Sequence, residues 1–192
     1  MRLEGGRLVY QTLDGAPPRG FCGSGLLSLV ALLLREGVLE ATGRLKERDE
    51  LPPFWREKRD SRGLVLENGL TLTQEDVRKI QLAKGAVASA WQTLMGGRRG
   101  EEPSILYLAG AFGSALALED LKILGMVPPG IERVVSLGNA SLVGAEAVAL
   151  SGECMARVEE LVRGVEVVDL ASQEGYQEIY MASLTFGETG GL

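Results

Sequence analysis

Apolar positions along this chain gather into short continuous runs that alternate with longer segments of helical spacing. Ile105-Leu106-Tyr107-Leu108-Ala109 and Arg133-Val134-Val135-Ser136-Leu137 are runs of the first kind, and they end abruptly at Gly110 and Gly138. Short runs stopped by glycine predict buried parallel strands, each followed by a tight turn. Helical spacing follows both turns. Leu118-Glu119-Asp120-Leu121-Lys122-Ile123-Leu124 carries acids in its first turn, and Ala140 to Leu150 is a small-residue helix containing Gly144, Ala145, Ala147 and Ala149. Small residues permit close helix approach, which fits tight core packing or a hinge between lobes. Alternation of strand and helix predicts an α/β fold, a sheet flanked by helices.

Around that centre the pattern predicts further elements. Arg2 to Tyr10 reads as a hairpin turned by Gly5-Gly6, too small to stand alone and therefore the edge of a larger sheet. Leu26 to Leu34 is apolar all round, so this helix is enclosed, with Ser24 able to cap it and Gly37 as its C′ residue. Thr73-Gln74-Glu75-Asp76 reads as a capping box. The helix it opens has Val77, Ile80, Ala83, Val87, Trp91 and Leu94 on one stripe, and Gln81, Lys84, Gly85 and Ala88 on the adjoining one. Lys84 is there either a solvated helical lysine or a group able to reach a ribose or an adenine edge. Met155 to Arg163 predicts an amphipathic helix, Val165 to Asp169 a strand, and Tyr176 to Leu184 a last helix. The stretch 43–69 is different in texture, with a charged run from Arg44 to Glu50, Pro52-Pro53, and a small strand between Gly63 and Gly69. It reads as an insertion or small subdomain, with Phe54 and Trp55 either anchoring it to the core or forming a contact surface.

Composition narrows the chemistry. A length of 192 residues suits one domain, 1–192, and the net charge of −6 argues against a nucleic-acid surface. Histidine is absent, which removes Ser-His-Asp and Cys-His catalysis from this chain. Cys22 and Cys154 form no C-x-x-C pair, so neither a zinc site nor an iron–sulfur cluster is expected from this chain alone. Two cysteines without a signal peptide fit a reducing cytoplasm. The longest apolar run falls far below the roughly 20 residues that span a bilayer. Glycines remain the candidate chemistry. Gly23, Ser24 and Gly25 open the enclosed helix, and Gly110, Ala111, Phe112, Gly113 and Ser114 follow the first buried strand. Such bends are either plain strand–turn–helix connections and caps, or they let a flat ligand or a phosphate approach backbone N–H groups at a helix start. The P-loop pattern fails because no Gly-Lys-Ser/Thr follows, and the dinucleotide fingerprint fails on spacing.

Four ordered segments together resemble one family. They are Pro18 to Leu27, Leu72 to Ala86, Leu108 to Gly113, and Ser136 to Ala140. The chain is similar over nearly its whole length to the C-terminal part of the ATPase domain of reductive activators of corrinoid proteins. That group sits within the actin, sugar kinase and heat-shock chaperone ATPase superfamily. The resemblance implies a ribonuclease H-like lobe with a mixed sheet, helices on its faces and a small inserted subdomain at about 43–69. It implies a nucleoside site bordered by Gly23, Ser24 and Gly25, by Gln81, Lys84 and Gly85, by Gly110 to Ser114, and by Gly138-Asn139 at the element linking two lobes. It further implies ATP and Mg²⁺ in the complete protein, a plant-type [2Fe–2S] domain elsewhere, a corrinoid-binding protein as partner, and a homodimer. The activity implied is ATP-driven reduction of cob(II)alamin to cob(I)alamin. Two departures qualify it. The superfamily's Asp-Gly-Thr-type phosphate loops are not in this chain, so it is not expected to hydrolyse ATP alone. Ser114 stands where the family has Asn, and no contact of that amide is carried over. The alternative reading is a non-catalytic dimerisation or interaction module that keeps the fold without the nucleotide.

Overall fold

The computed structural model describes residues 1–12, 14–96, 105–110, 116–128 and 130–187. Strands β1 (Arg2–Glu4) and β2 (Arg7–Val9) form the expected antiparallel hairpin, turned by Gly5 and Gly6, both at positive φ. Helix α1 (Gly23–Arg35) follows, then the short α2 (Pro53–Arg56) and the small antiparallel pair β3 (Leu64–Val65) and β4 (Thr71–Leu72). The long α3 (Gln74–Met95) leads to β5 (Ile105–Ala109), α4 (Leu118–Leu124) and β6 (Arg133–Gly138). Helices α5 (Ala140–Leu150), α6 (Gly152–Arg163) and α7 (Tyr176–Ala182) complete the order.

The α/β class holds, and β5 pairs with β6 in parallel, as the two glycine-stopped runs predict. A first correction falls at the hairpin, expected as the edge of a larger sheet: among the described residues β1 and β2 pair only with each other, one of three two-stranded sheets. A second correction falls at Val165 to Asp169, which forms no strand. Val165 and Val167 stand 64% and 89% exposed, and among the described residues this stretch pairs with no strand. The last helix ends at Ala182, two residues short of the expected Leu184.

The core gathers around α1. Leu29, Val30, Ala31 and Leu33 are fully buried, as an all-round apolar helix requires. Leu45, Leu51, Trp55, Leu64 and Leu66, from the stretch with the different texture, are buried in the same cluster. Trp55 is therefore an anchor, and Phe54 stands edge-on to it at 5.0 Å. Val77 and Ile80 bring α3 onto that core. Thr73 and Asp76 bond reciprocally at its start, as the capping box predicts. No helix among the described residues is long and apolar enough to cross a membrane.

Candidate functional site

At the start of α1 the N-cap is Cys22, not Ser24. Cys22 takes extended dihedrals and its Sγ accepts from the Gly25 N–H at 3.4 Å. Gly23 and Ser24 already lie inside the first turn, which leaves the preceding residue as the only one placed to cap. The Ser24 hydroxyl and then the Gly25 N–H hold the exposed Cys22 thiol below its ordinary pKa. A β-carbon on Gly25 would sit 3.2 Å from Cys22 Sγ, so a side chain there would press on the capping thiol.

Ser24 faces a cleft of about 520 Å³ whose other wall includes Leu116, Ala117 and Asp120. Leu116 and Ala117 stand six and seven positions beyond Gly110 in the sequence, so the first bend borders a cleft with the chain just ahead of α4, and Gly110 itself is not among the lining residues. At its floor the buried Asp120 accepts from Ser28 Oγ at 2.7 Å and from Arg35 Nη2 at 3.1 Å. Reading the sequence missed this trio. Asp120 there reads only as an acid in a helix first turn, and Ser28 lies 92 positions away from it.

The second and fourth candidate stretches meet at the ends of the parallel strands. Gly110 donates to the Gly138 carbonyl at 2.6 Å, and their φ values are +93° and +58°. Both are left-handed conformations that favour glycine. No atom of the described residues lies within 4 Å of where a β-carbon on either would sit, so as far as those residues go both bends present open backbone. Asn139 caps α5, its Oδ1 accepting from the Leu142 N–H at 3.2 Å. Ala111, Phe112, Gly113 and Ser114 lie outside the described residues.

The third stretch is differently engaged. Gln81 and Lys84 are 4% and 0% exposed. Lys84 Nζ donates to the carbonyls of Ser183 at 2.8 Å and Thr185 at 2.6 Å. Gln81 Nε2 donates to Thr42 O at 3.0 Å and Leu184 O at 2.9 Å. Gly85 lies under the Leu184 side chain. These three residues share a face of α3, and that face holds the chain's own C-terminal segment. Among the described residues no group of three or more acids or cysteines is placed to hold a metal ion.

Comparison with known proteins places this geometry. A family model described as the C-terminal domain of RACo, the ASKHA domain, matches residues 2–191. The chain is 30% identical over 203 residues to a corrinoid activation enzyme, RamQ, of Eubacterium limosum, covering 96% of this chain and 34% of that protein. It is 27% identical over 175 residues to a [Co(II) methylated amine-specific corrinoid protein] reductase of Methanosarcina barkeri, covering 89% of this chain and 30% of that protein. A solved structure titled reductive activator for corrinoid, iron-sulfur protein superposes with a TM-score of 0.82 at 25% identity, over 98% of this chain and 32% of the other. The chain thus spans about a third of the length of the relatives it matches.

Proposed function

Because the chain belongs to the family of C-terminal ASKHA domains of RACo, we propose that it forms the adenosine-side part of an ATP-dependent reductive activator of corrinoid proteins. The observation that carries this reading is the pair of open bends. Gly110 and Gly138 are bonded to each other, left-handed, and clear of the other described residues where side chains would stand. A planar nucleoside can lie against such backbone, and a β-carbon would block it. Ser24, in the shared cleft, and the Gly23 and Gly25 backbone at the start of α1 supply polar contacts to a ribose or phosphate. We assign the nucleoside contacts to Gly110, Gly138 and Asn139, and by their place in the sequence to Ala111, Phe112, Gly113 and Ser114, with Gln81, Lys84 and Gly85 contributing from α3.

ATP, when bound, supplies the free energy of phosphoryl transfer. This chain's share is to bind and orient the nucleoside, while the phosphates and Mg²⁺ fall to residues of the longer protein. Cys22 and Cys154 lie on separate elements, so the [2Fe–2S] centre likewise belongs to that longer protein. Its partner is a cobalamin-binding protein whose cob(II)alamin is reduced to cob(I)alamin, and the complete activator is a homodimer.

Titration calorimetry with ADP tests the reading. The complete activator binds ADP, and Gly110→Val, which adds a branched side chain at φ +93°, weakens binding at least tenfold. Equal affinity in the variant, or no binding by the wild type, overturns it. The second reading, a module that docks without nucleotide, is favoured by the exposed apolar residues of α5 and α6, and the same titration decides between the two.

A further inference from the structure

The segment leaving α7 is built into the molecule. Ser183, Leu184 and Phe186 are buried, and Phe186 belongs to the main core cluster. Besides the Lys84 and Gln81 bonds, Ser183 Oγ accepts from Gln92 Nε2 at 3.1 Å, and the Phe186 N–H donates to Ala41 O at 2.8 Å. Two glycines leave room for the segment. A β-carbon on Gly85 would lie 2.8 Å from Leu184 Cδ2, and one on Gly125 would overlap the Gly187 carbonyl. The same β-carbon on Gly125 would stand 3.2 Å from Lys84 Cε, so the lysine, the segment and the end of α4 meet at one point.

An ammonium with none of its side chain exposed is costly unless acceptors are supplied. None of the ion pairs among the described residues includes Lys84. Its acceptors are backbone carbonyls of residues 183 and 185. A methionine would fill about the same volume, and both hydrogen bonds that the nitrogen donates go to this segment. We propose that Lys84 locks residues 183–187 as a clamp fixing α3 against the end of α4 and the 41–43 loop, and that it acts on the nucleoside wall only through that clamp. The link to the wall rests on the function proposed above; the clamp itself does not.

Hydrogen exchange on the 192-residue chain tests the clamp without nucleotide. Lys84→Met speeds exchange in residues 179–187 and in the 81–92 stretch of α3 by about tenfold or more. In a chain ending at Ala182 the α3 amides exchange at that raised rate, and Lys84→Met adds nothing. Phe186→Ala replaces the shortened chain should that one fail to fold. Unchanged exchange in Lys84→Met, or the same increment with and without the segment, overturns the clamp. ADP titration of the complete activator gives the second readout. Lys84→Met weakens ADP binding about tenfold with the segment intact and not at all without it. A lysine touching the nucleotide would cost affinity in both backgrounds. A wild type that binds no ADP removes the function proposed above, while exchange still decides the clamp.

Discussion

Burial pushes the Lys84 ammonium down from 10.5 to about 8. The folded chain therefore releases this proton near pH 8, whereas the unfolded chain keeps it to about 10.5. Between those values the unfolded state binds more protons, so this residue's contribution makes the fold more stable as pH rises. The gain is on the order of 2–3 kcal/mol across the window. Urea melts of wild type and Lys84→Met at pH 7.5 and 10 check it, since all other titrating groups are common to both chains. The wild type should gain on the variant at the higher pH, and a constant difference would show that the ammonium is solvated. Residue scale is also where the sequence was hardest to read. Ser24 and Cys22 both precede the apolar run, and only the backbone conformation at Cys22 decides which one caps. Cys22→Ala should cost about 1 kcal/mol in the same melts, with Cys22→Ser nearly neutral because it keeps an acceptor.

Among the elements, α3 shows what periodicity can and cannot supply. Its capping box and its length were legible, because both are local. Its inward face was legible only in part. Val77 and Ile80 point into the core, but Val87 and Leu94 stand 46% and 54% exposed. The buried face instead carries Gln81, Lys84, Gly85, Ala88 and Ser89. Polar groups are buried there because α7 and residues 183–187 supply acceptors from about 100 positions away, which a window along the helix does not contain. The join between α1 and α4 is hidden for the same reason. Asp120 is the acceptor for Ser28 and Arg35, so Asp120→Ala leaves a hydroxyl and a guanidinium without it inside the cleft. Denaturant unfolding should report a loss of roughly 1–3 kcal/mol. Ser28→Ala should then cost little in the Asp120→Ala background, since the two residues share one bond.

For the whole molecule, the strand–turn–helix alternation was legible because buried parallel strands and their glycine stops write themselves into adjacent positions. The number of strands per sheet was not, since pairing depends on which edges meet. The same incompleteness shows in α5 and α6. Leu142, Val143 and Leu150 of α5 and Met155, Val158, Leu161 and Val162 of α6 stand 42–87% exposed, and α5 has no buried residue. Monomeric proteins rarely leave so many neighbouring apolar side chains in water. Their relatives are about three times as long, and the additional length is available to cover such a face. In the 192-residue chain alone these side chains support little of the fold, so charging them should leave stability almost unchanged. Val143→Glu with Leu161→Glu is expected to shift unfolding by no more than about 0.5 kcal/mol per site. The same pair should lower binding of the apolar dye ANS. A cooperative loss of structure in that variant would mean that α5 and α6 are packed into the core after all, against the exposure found here.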